Sequence, residues 1–141
     1  MQDTLPIHFA PLQGYTEAIY RNAHDAFFGG VDTYYTPFVR LEKGNFRRRD
    51  VRGIEPENNG VTHLIPQLIA SSAEKAEVIL SLFIEKGYQE VDINLGCPFP
   101  LLAKRHNGSG ILPYPEEVKA LLSIVTRYPQ ISFSVKMRLG W

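Results

Sequence analysis

The sequence predicts an α/β fold of the (β/α)8 barrel type, with about five strands of it present. Three observations point there. Short β-branched or apolar runs alternate with amphipathic helical stretches, a pattern that implies a parallel sheet with right-handed crossovers. The order of elements is strand, helix, strand, connection, strand, helix, strand, helix, strand. The unusual residues cluster just after strand ends: Pro11 and Gly14, Pro37, Gln67, Asn94 and Cys97, Lys136 and Arg138. Barrel active sites collect at that face from several strands. A flavodoxin-like sheet is compatible with the same order. A Rossmann fold is disfavoured, because no G-x-G-x-x-G follows the first strand.

The elements follow in order. Ile7-His8-Phe9-Ala10 is a first strand, stopped by Pro11 and Gly14. Thr16 is placed to cap a helix from Glu17 to about Phe27, with Ile19, Ala23, Ala26 and Phe27 at helical spacing. Gly29-Gly30 ends it, and Val31 to Tyr35 forms a second strand broken by Pro37. From Arg40 to Asn59 the chain is polar and weakly periodic, a long connection with one helical turn at most. His63 to Leu68 is a third strand. Ser71 with Glu74 matches a capping box for a helix over Ser72 to Lys86, whose stripe is Ala76, Ile79, Leu80, Phe83 and Ile84. Gly87 closes that helix, and Glu90 to Leu95 is the fourth strand. Pro115 suits the first position of another helix, with Glu116 and Glu117 in its first turn and Val118, Leu121, Leu122 and Val125 facing inward. Ile131 to Arg138 is the fifth strand.

Composition sets the bounds. The 141 residues suffice for one domain with a real core. Fifteen basic and fifteen acidic side chains cancel, so only local clusters can argue for a polyanionic partner. One cysteine excludes a disulfide framework or a multi-cysteine zinc site and fits a reducing cytosol. Met1-Gln2-Asp3-Thr4 lacks a signal-peptide start, and no apolar run reaches membrane-spanning length. A soluble, cytoplasmic protein without membrane contact is expected. His8, His24 and His63 have no ligand spacing and read as structural, so no metal is expected.

Val91-Asp92-Ile93-Asn94-Leu95-Gly96-Cys97-Pro98 is the most informative stretch. It reads as a buried strand ending in a tight turn, with an amide and a thiol three residues apart. Asn94 can hydrogen-bond a polar ring edge, and Cys97 can donate a proton or attack. The pairing suggests chemistry on a small planar substrate. Lys136 interrupts Phe133-Ser134-Val135, and a buried ammonium there demands a partner. Two basic clusters, Arg47-Arg48-Arg49 with Arg52 and Lys104-Arg105-His106, are candidates for phosphate, the second because it follows the cysteine turn.

Ala10-Pro11-Leu12-x-Gly14-x-Thr16, Gln67, Asp92-Ile93-Asn94-Leu95-Gly96-Cys97-Pro98 and Val135-Lys136-Met137-Arg138-Leu139-Gly140-Trp141 together resemble the tRNA-dihydrouridine synthases, in family order and over nearly the whole chain. The resemblance implies an FMN-dependent barrel that reduces the C5=C6 bond of uridines in tRNA, with NADPH recharging the flavin. It implies that Cys97 protonates C5. It places Pro11, Leu12, Gly14, Gln67 and Lys136 at the flavin and Asn94 at the uracil or flavin edge. Arg138, on the Lys136 face by alternation, is a further candidate for flavin or substrate, and Lys104 and Arg105, beside the cysteine turn, are candidates for substrate phosphate. Two departures mark a divergent branch. His106-Asn107-Gly108-Ser109-Gly110-Ile111-Leu112 replaces the usual Gly-x-Gly-Ser-Ala-Leu type turn, and the second strand ends in Thr36-Pro37 rather than Thr-Glu.

Five strands cannot close an eight-stranded barrel. The expectation is therefore the N-terminal part of a flavin-binding barrel, residues 1–141, with the remaining strands, the flavin-phosphate loops and a helical tRNA-binding domain lying beyond Trp141. Two rivals stay open: an FMN barrel of the dihydroorotate dehydrogenase type acting on a free pyrimidine, and a non-catalytic half-barrel. The open sheet edges of a half-barrel invite self-association.

Overall fold

A computed structural model describes residues 5–140; Met1-Gln2-Asp3-Thr4 and Trp141, the last residue of the final motif, lie outside the described residues. The strands are β1 (His8–Phe9), β2 (Thr33–Tyr35), β3 (Leu41–Glu42), β4 (Asn45–Phe46), β5 (Leu64–Ile65), β6 (Gln67–Leu68), β7 (Glu90–Leu95) and β8 (Ser132–Met137). The helices are α1 (Ala18–Phe27), α2 (Arg48–Ile54), α3 (Ala73–Glu85), α4 (Pro100–Ala103) and α5 (Pro115–Arg127), with 3-10 turns at Pro56–Asn58 and Gly108–Ile111.

The parallel strands follow chain order, β1-β2-β5 in one ladder and β6-β7-β8 in the next. Sequential order removes the flavodoxin-like alternative, whose sheet reverses at a switch point. The predicted third strand is split. Pro66 has no N–H to give; before it the chain pairs with β2, after it with β7 and, through a bridge at Val39, with the segment following β2, and the Pro66 carbonyl accepts from Asp92 N–H at 3.0 Å. The sheet is open, yet residues from β1 and β8 line one common cavity, so it curls in the barrel sense without closing.

The core lies on one face of the β6-β7-β8 ladder. Ala76, Ile79, Leu80 and Phe83 of α3 and Leu121 and Ile124 of α5 pack against Leu68, Val91, Ile93 and Leu95. Ile84 and Val125, expected in those stripes, are partly exposed at 39% each. Ser72, not Ser71, caps α3, accepting from Lys75 N–H, while the Ser71 hydroxyl accepts from Lys75 Nζ at 2.9 Å.

Two expectations are corrected. The connection from Arg40 to Asn59 is structured: it holds the β3-β4 hairpin, two turns of α2 and a 3-10 turn. Its two-residue strands are too short to give a periodic signal. Lys43 and Gly44 both take positive φ, 51° and 80°, the pattern of a type I′ hairpin turn. Helix α1 buries the opposite face from the one predicted. Ile19 and Phe27 are 85% and 84% exposed, whereas Arg21 is fully buried. Its guanidinium donates to the carbonyls of Thr16 at 2.7 Å and Gly53 at 2.8 Å and to Asn59 Oδ1 at 2.5 Å. Burial lowers its pKa to about 10, so it stays charged at neutral pH. Thr16 does not cap α1; its hydroxyl instead accepts the Leu12 N–H at 2.9 Å. No helix among the described residues is long and apolar enough to cross a membrane.

Candidate active site

The site is built on parity. In the parallel register Gln67 lies beside Asp92, Asp92 beside Ser134, and Asn94 beside Lys136. These residues share the face opposite the apolar core. Asp92, Gln67 and Asn94 are buried polar groups and must satisfy one another. Ser134 Oγ and Gln67 Nε2 each donate to the Asp92 carboxylate at 2.6 Å. Because Gln67 turns its nitrogen to Asp92, its Oε1 is free to accept from Asn94 Nδ2, at 2.8 Å. Asn94 Oδ1 then accepts the backbone N–H of Gly96 at 3.1 Å and of Cys97 at 2.9 Å. One carboxyl thus orients two amides in series, and the last amide shapes the cysteine turn. Burial pushes the Asp92 pKa up, opposed by its bonds from Ser134 and Gln67 and by Lys136.

Cys97 stands half-buried at the carboxyl end of β7, packed against the small cluster of Phe38, Ile69 and Leu102. Its carbonyl accepts two bonds from Ser109, from the N–H at 3.0 Å and from Oγ at 3.1 Å. That approach depends on glycine. Gly108 has φ +59°, and a Cβ there would lie 2.6 Å from the Cys97 oxygen; at Gly110 a Cβ would lie 2.1 Å from the Ala103 oxygen. The His106–Leu112 segment is therefore the buttress of the cysteine turn. His106 anchors it from outside, stacked on Tyr114 at 4.0 Å and bonded to Glu117 at 2.7 Å.

A cavity of about 270 Å³ opens on the polar face. His8, Ala10, Pro11 and Tyr35 line it from the first strands, and Asp92, Ser134 and Lys136 from the last. His8 Nδ1 and the Tyr35 hydroxyl are 2.9 Å apart. Leu12 and Gly14 sit in the turn after β1, where Gly14 takes φ +87° and the Leu12 carbonyl accepts from Tyr15 and Thr16 N–H. The expectation of a buried ammonium at Lys136 is corrected: among the described residues Lys136 is exposed along the cavity wall, on β8, the last strand the chain contains. Arg138 is also exposed, beside Gly96.

The second basic cluster divides. Lys104 lines a cavity with His106 and Tyr114, while Arg105 lines a different cleft. In the first cluster Arg47 is spent on Asp50, through bonds of 2.9 and 2.6 Å, and Arg49 lies 3.7 Å from Glu17. The three histidines have local partners: His8 with Tyr35, His24 with Tyr34, and His63 between Thr33 and Glu90. Among the described residues no three potential ligands gather for a metal. Sequence reasoning missed Asp92, Ser134, Ser109 and the two glycines. A carboxylate inside an apolar strand and a Gly-Ser-Gly run after the cysteine turn were the available signals.

The family model described as dihydrouridine synthase (Dus) matches residues 8–141. A probable tRNA-dihydrouridine synthase 1 of Synechocystis sp. is 29% identical over 138 residues, covering 94% of this chain and 37% of the relative. The tRNA-dihydrouridine synthase B of Pectobacterium carotovorum is 24% identical over 132 residues, covering 94% of this chain and 40% of the relative. That of Klebsiella pneumoniae is 32% identical over 75 residues, 53% of this chain and 23% of the relative. The chain spans about two fifths of the length of the relatives it matches most fully.

Proposed function

Since the chain belongs to the dihydrouridine synthase family, we propose that it forms the cysteine-bearing part of a flavin site that reduces uridine in tRNA to dihydrouridine, with NADPH as the source of electrons. The observation that carries this reading is the Asp92–Gln67–Asn94 chain of hydrogen bonds ending on the Cys97 N–H, beside a cavity walled by the first and last strands.

The polar face suits an isoalloxazine edge. Gln67 Nε2 and Asn94 Nδ2 each retain one N–H beyond the bonds already made, and Lys136 offers an ammonium. All three are donors, matched to the carbonyl oxygens of that edge. Pro11, in the cavity lining, with Leu12 and Gly14 in the turn beside it, would border the ring, and Lys136 would offset the negative charge a reduced flavin carries at its pyrimidine edge. FMN, when bound, supplies the hydride for C6 of the uracil. Cys97 gives the Sγ proton to C5, so the C5=C6 bond gains one hydride and one proton. Asn94 fixes where that proton starts, because its Oδ1 holds the Cys97 N–H. The target base must leave its stack to reach the thiol. Arg138, Lys104 and Arg105 serve the RNA, and such a substrate implies a cytoplasmic enzyme.

In the intact protein, Cys97→Ala is expected to leave flavin binding and NADPH oxidation nearly intact. It should slow tRNA-dependent flavin reoxidation by roughly 10²- to 10⁴-fold, the scale of a positioned acid. Reoxidation at the wild-type rate would sink the assignment. Mass spectrometry of the tRNA, showing a gain of two hydrogens at uridine, identifies the product.

A further inference from the structure

A second concavity lies at the same end of the sheet, a cleft of about 460 Å³ between the β3-β4 hairpin, the loop after β6 and the segment after Cys97. That volume falls in the ordinary range of small-ligand sites, roughly 300–1,000 Å³. Its charge is unusual for a chain that is neutral overall. Arg40, Lys43, Lys75 and Arg105 line it against one carboxylate, Glu42. Arg40 bonds Glu42 at 3.1 Å and Lys75 bonds the Ser71 hydroxyl, but Lys43 and Arg105 have no acidic partner among the described residues. The buried Arg40 Nε has no acceptor among the described residues. Lys43 sits in the tight hairpin turn, so it is presented by a built element. Phe99, 52% exposed, supplies an aromatic wall. Ile69 and Leu102 line the cleft and also belong to the cluster that packs Cys97, so one layer of side chains separates cleft from thiol.

Cations with free donors beside an exposed aromatic ring suit a nucleotide with an accessible phosphate and base face. We propose that this cleft holds the single-stranded nucleotide adjoining the uridine presented to Cys97, its phosphate against Arg40, Lys43 and Arg105 and its base against Phe99. The proposal rests on the reading of the protein as a tRNA-modifying enzyme. It adds a flanking-nucleotide subsite on the outer side of the Cys97 cluster.

The test uses the intact protein, an unmodified tRNA transcript and NADPH. Lys43→Glu with Arg105→Glu should weaken tRNA binding roughly tenfold or more at moderate salt. It should also flatten the log–log salt slope by about 0.7 for each lost phosphate contact. Phe99→Ala should weaken binding by roughly 5- to 100-fold with little change in that slope. Lys119→Glu, on the exposed outer face of α5, should change neither. The KM for NADPH should hold in all variants. Unchanged tRNA affinity and slope in the double reversal, with wild-type protein binding and reducing tRNA, would overturn the subsite alone. A rise in the NADPH KM with tRNA affinity intact would overturn it too, assigning the cleft to the reductant. Wild-type protein that neither binds nor reduces tRNA would overturn the functional reading and this subsite with it.

Discussion

Replacing Gly108 with alanine should dislodge the cysteine turn, and the size of the effect follows from geometry. A Cβ at this position would stand 2.6 Å from the Cys97 oxygen, 2.9 Å from its Cβ and 3.0 Å from its nitrogen. All three belong to backbone or to the first side-chain atom, so no rotamer change relieves them. The left-handed backbone, φ +59°, adds about 1–2 kcal/mol for a residue with a Cβ. Overpacking against fixed atoms typically costs a further ~1–3 kcal/mol. Moving apart also stretches the two Ser109 bonds to the Cys97 carbonyl, each worth about 0.5–1.5 kcal/mol. Gly108→Ala should therefore cost about 2–5 kcal/mol if the turn stays in place, whereas a turn that swings away trades the overpacking for the loss of its Ser109 bonds. The two outcomes separate in a paired assay of urea unfolding and the alkylation rate of Cys97, followed by peptide mass spectrometry. Either stability falls by that amount, or Cys97 alkylates severalfold faster. Gly60→Ala is the control, because its Cβ would meet nothing closer than 3.9 Å and its φ is ordinary; it should stay within about 0.5 kcal/mol. Ser109→Ala removes only the Oγ donor and should cost about 1 kcal/mol. A Gly108→Ala protein matching the Gly60→Ala control in both stability and alkylation would refute the buttress.

Other predictions concern the polar face. Asp92 has its pKa raised by burial above the ordinary 3.8, so its ionisation is harder in the folded chain than in the unfolded one. Its contribution to stability is fullest at low pH and is lost as pH rises through the raised pKa. Asp92→Asn keeps an acceptor for Gln67 and lacks the charge, so its stability relative to wild type should climb as pH rises from about 3.8 and then level off. Parallel urea curves at every pH would contradict this. Lys136→Met should slow flavin reduction by NADPH more than it weakens oxidised FMN, since the charge it meets appears on reduction; stopped-flow reduction at the wild-type rate would remove Lys136 from that role.

Much of the architecture was legible in the sequence, for identifiable reasons. The strand at 90–95 and the helices over 73–85 and 115–127 carry long, regular patterns, and glycine or proline marks their ends. The Asn94–Cys97 turn could be placed because its residues are neighbours in sequence. What escaped were arrangements decided at a distance. The inverted face of α1 follows from Arg21 finding acceptors at Gly53 and Asn59, more than thirty residues away. Lys136 was expected inside because its strand reads as apolar, yet only the pairing partner on its far side would bury it. The Gly108–Gly110 segment folds back over Cys97, twelve residues before Ser109 in sequence. The Gly-Ser-Gly run hints at a tight turn, but which atoms its glycines must clear shows only once that contact exists.

The break at Pro66 also bears on how the protein opens and exchanges its amides. The ladder before it, β1-β2-β5, has strands of two or three residues, whereas β7 and β8 are paired over six positions each. The large apolar core belongs almost wholly to the second ladder, with α3 and α5. Two units of unequal strength therefore meet at Pro66, which cannot donate a hydrogen bond, and through the Val39–Leu68 bridge beside it. Under native conditions the first should breathe without the second, and hydrogen–deuterium exchange should reach β1 and β2 well before β7. Pro11, Leu12 and Gly14 would then ride on the loose unit, while Asn94 and Cys97 stay on the firm one. If exchange follows that order, the cavity between them would widen from the β1 side while the cysteine turn keeps its place.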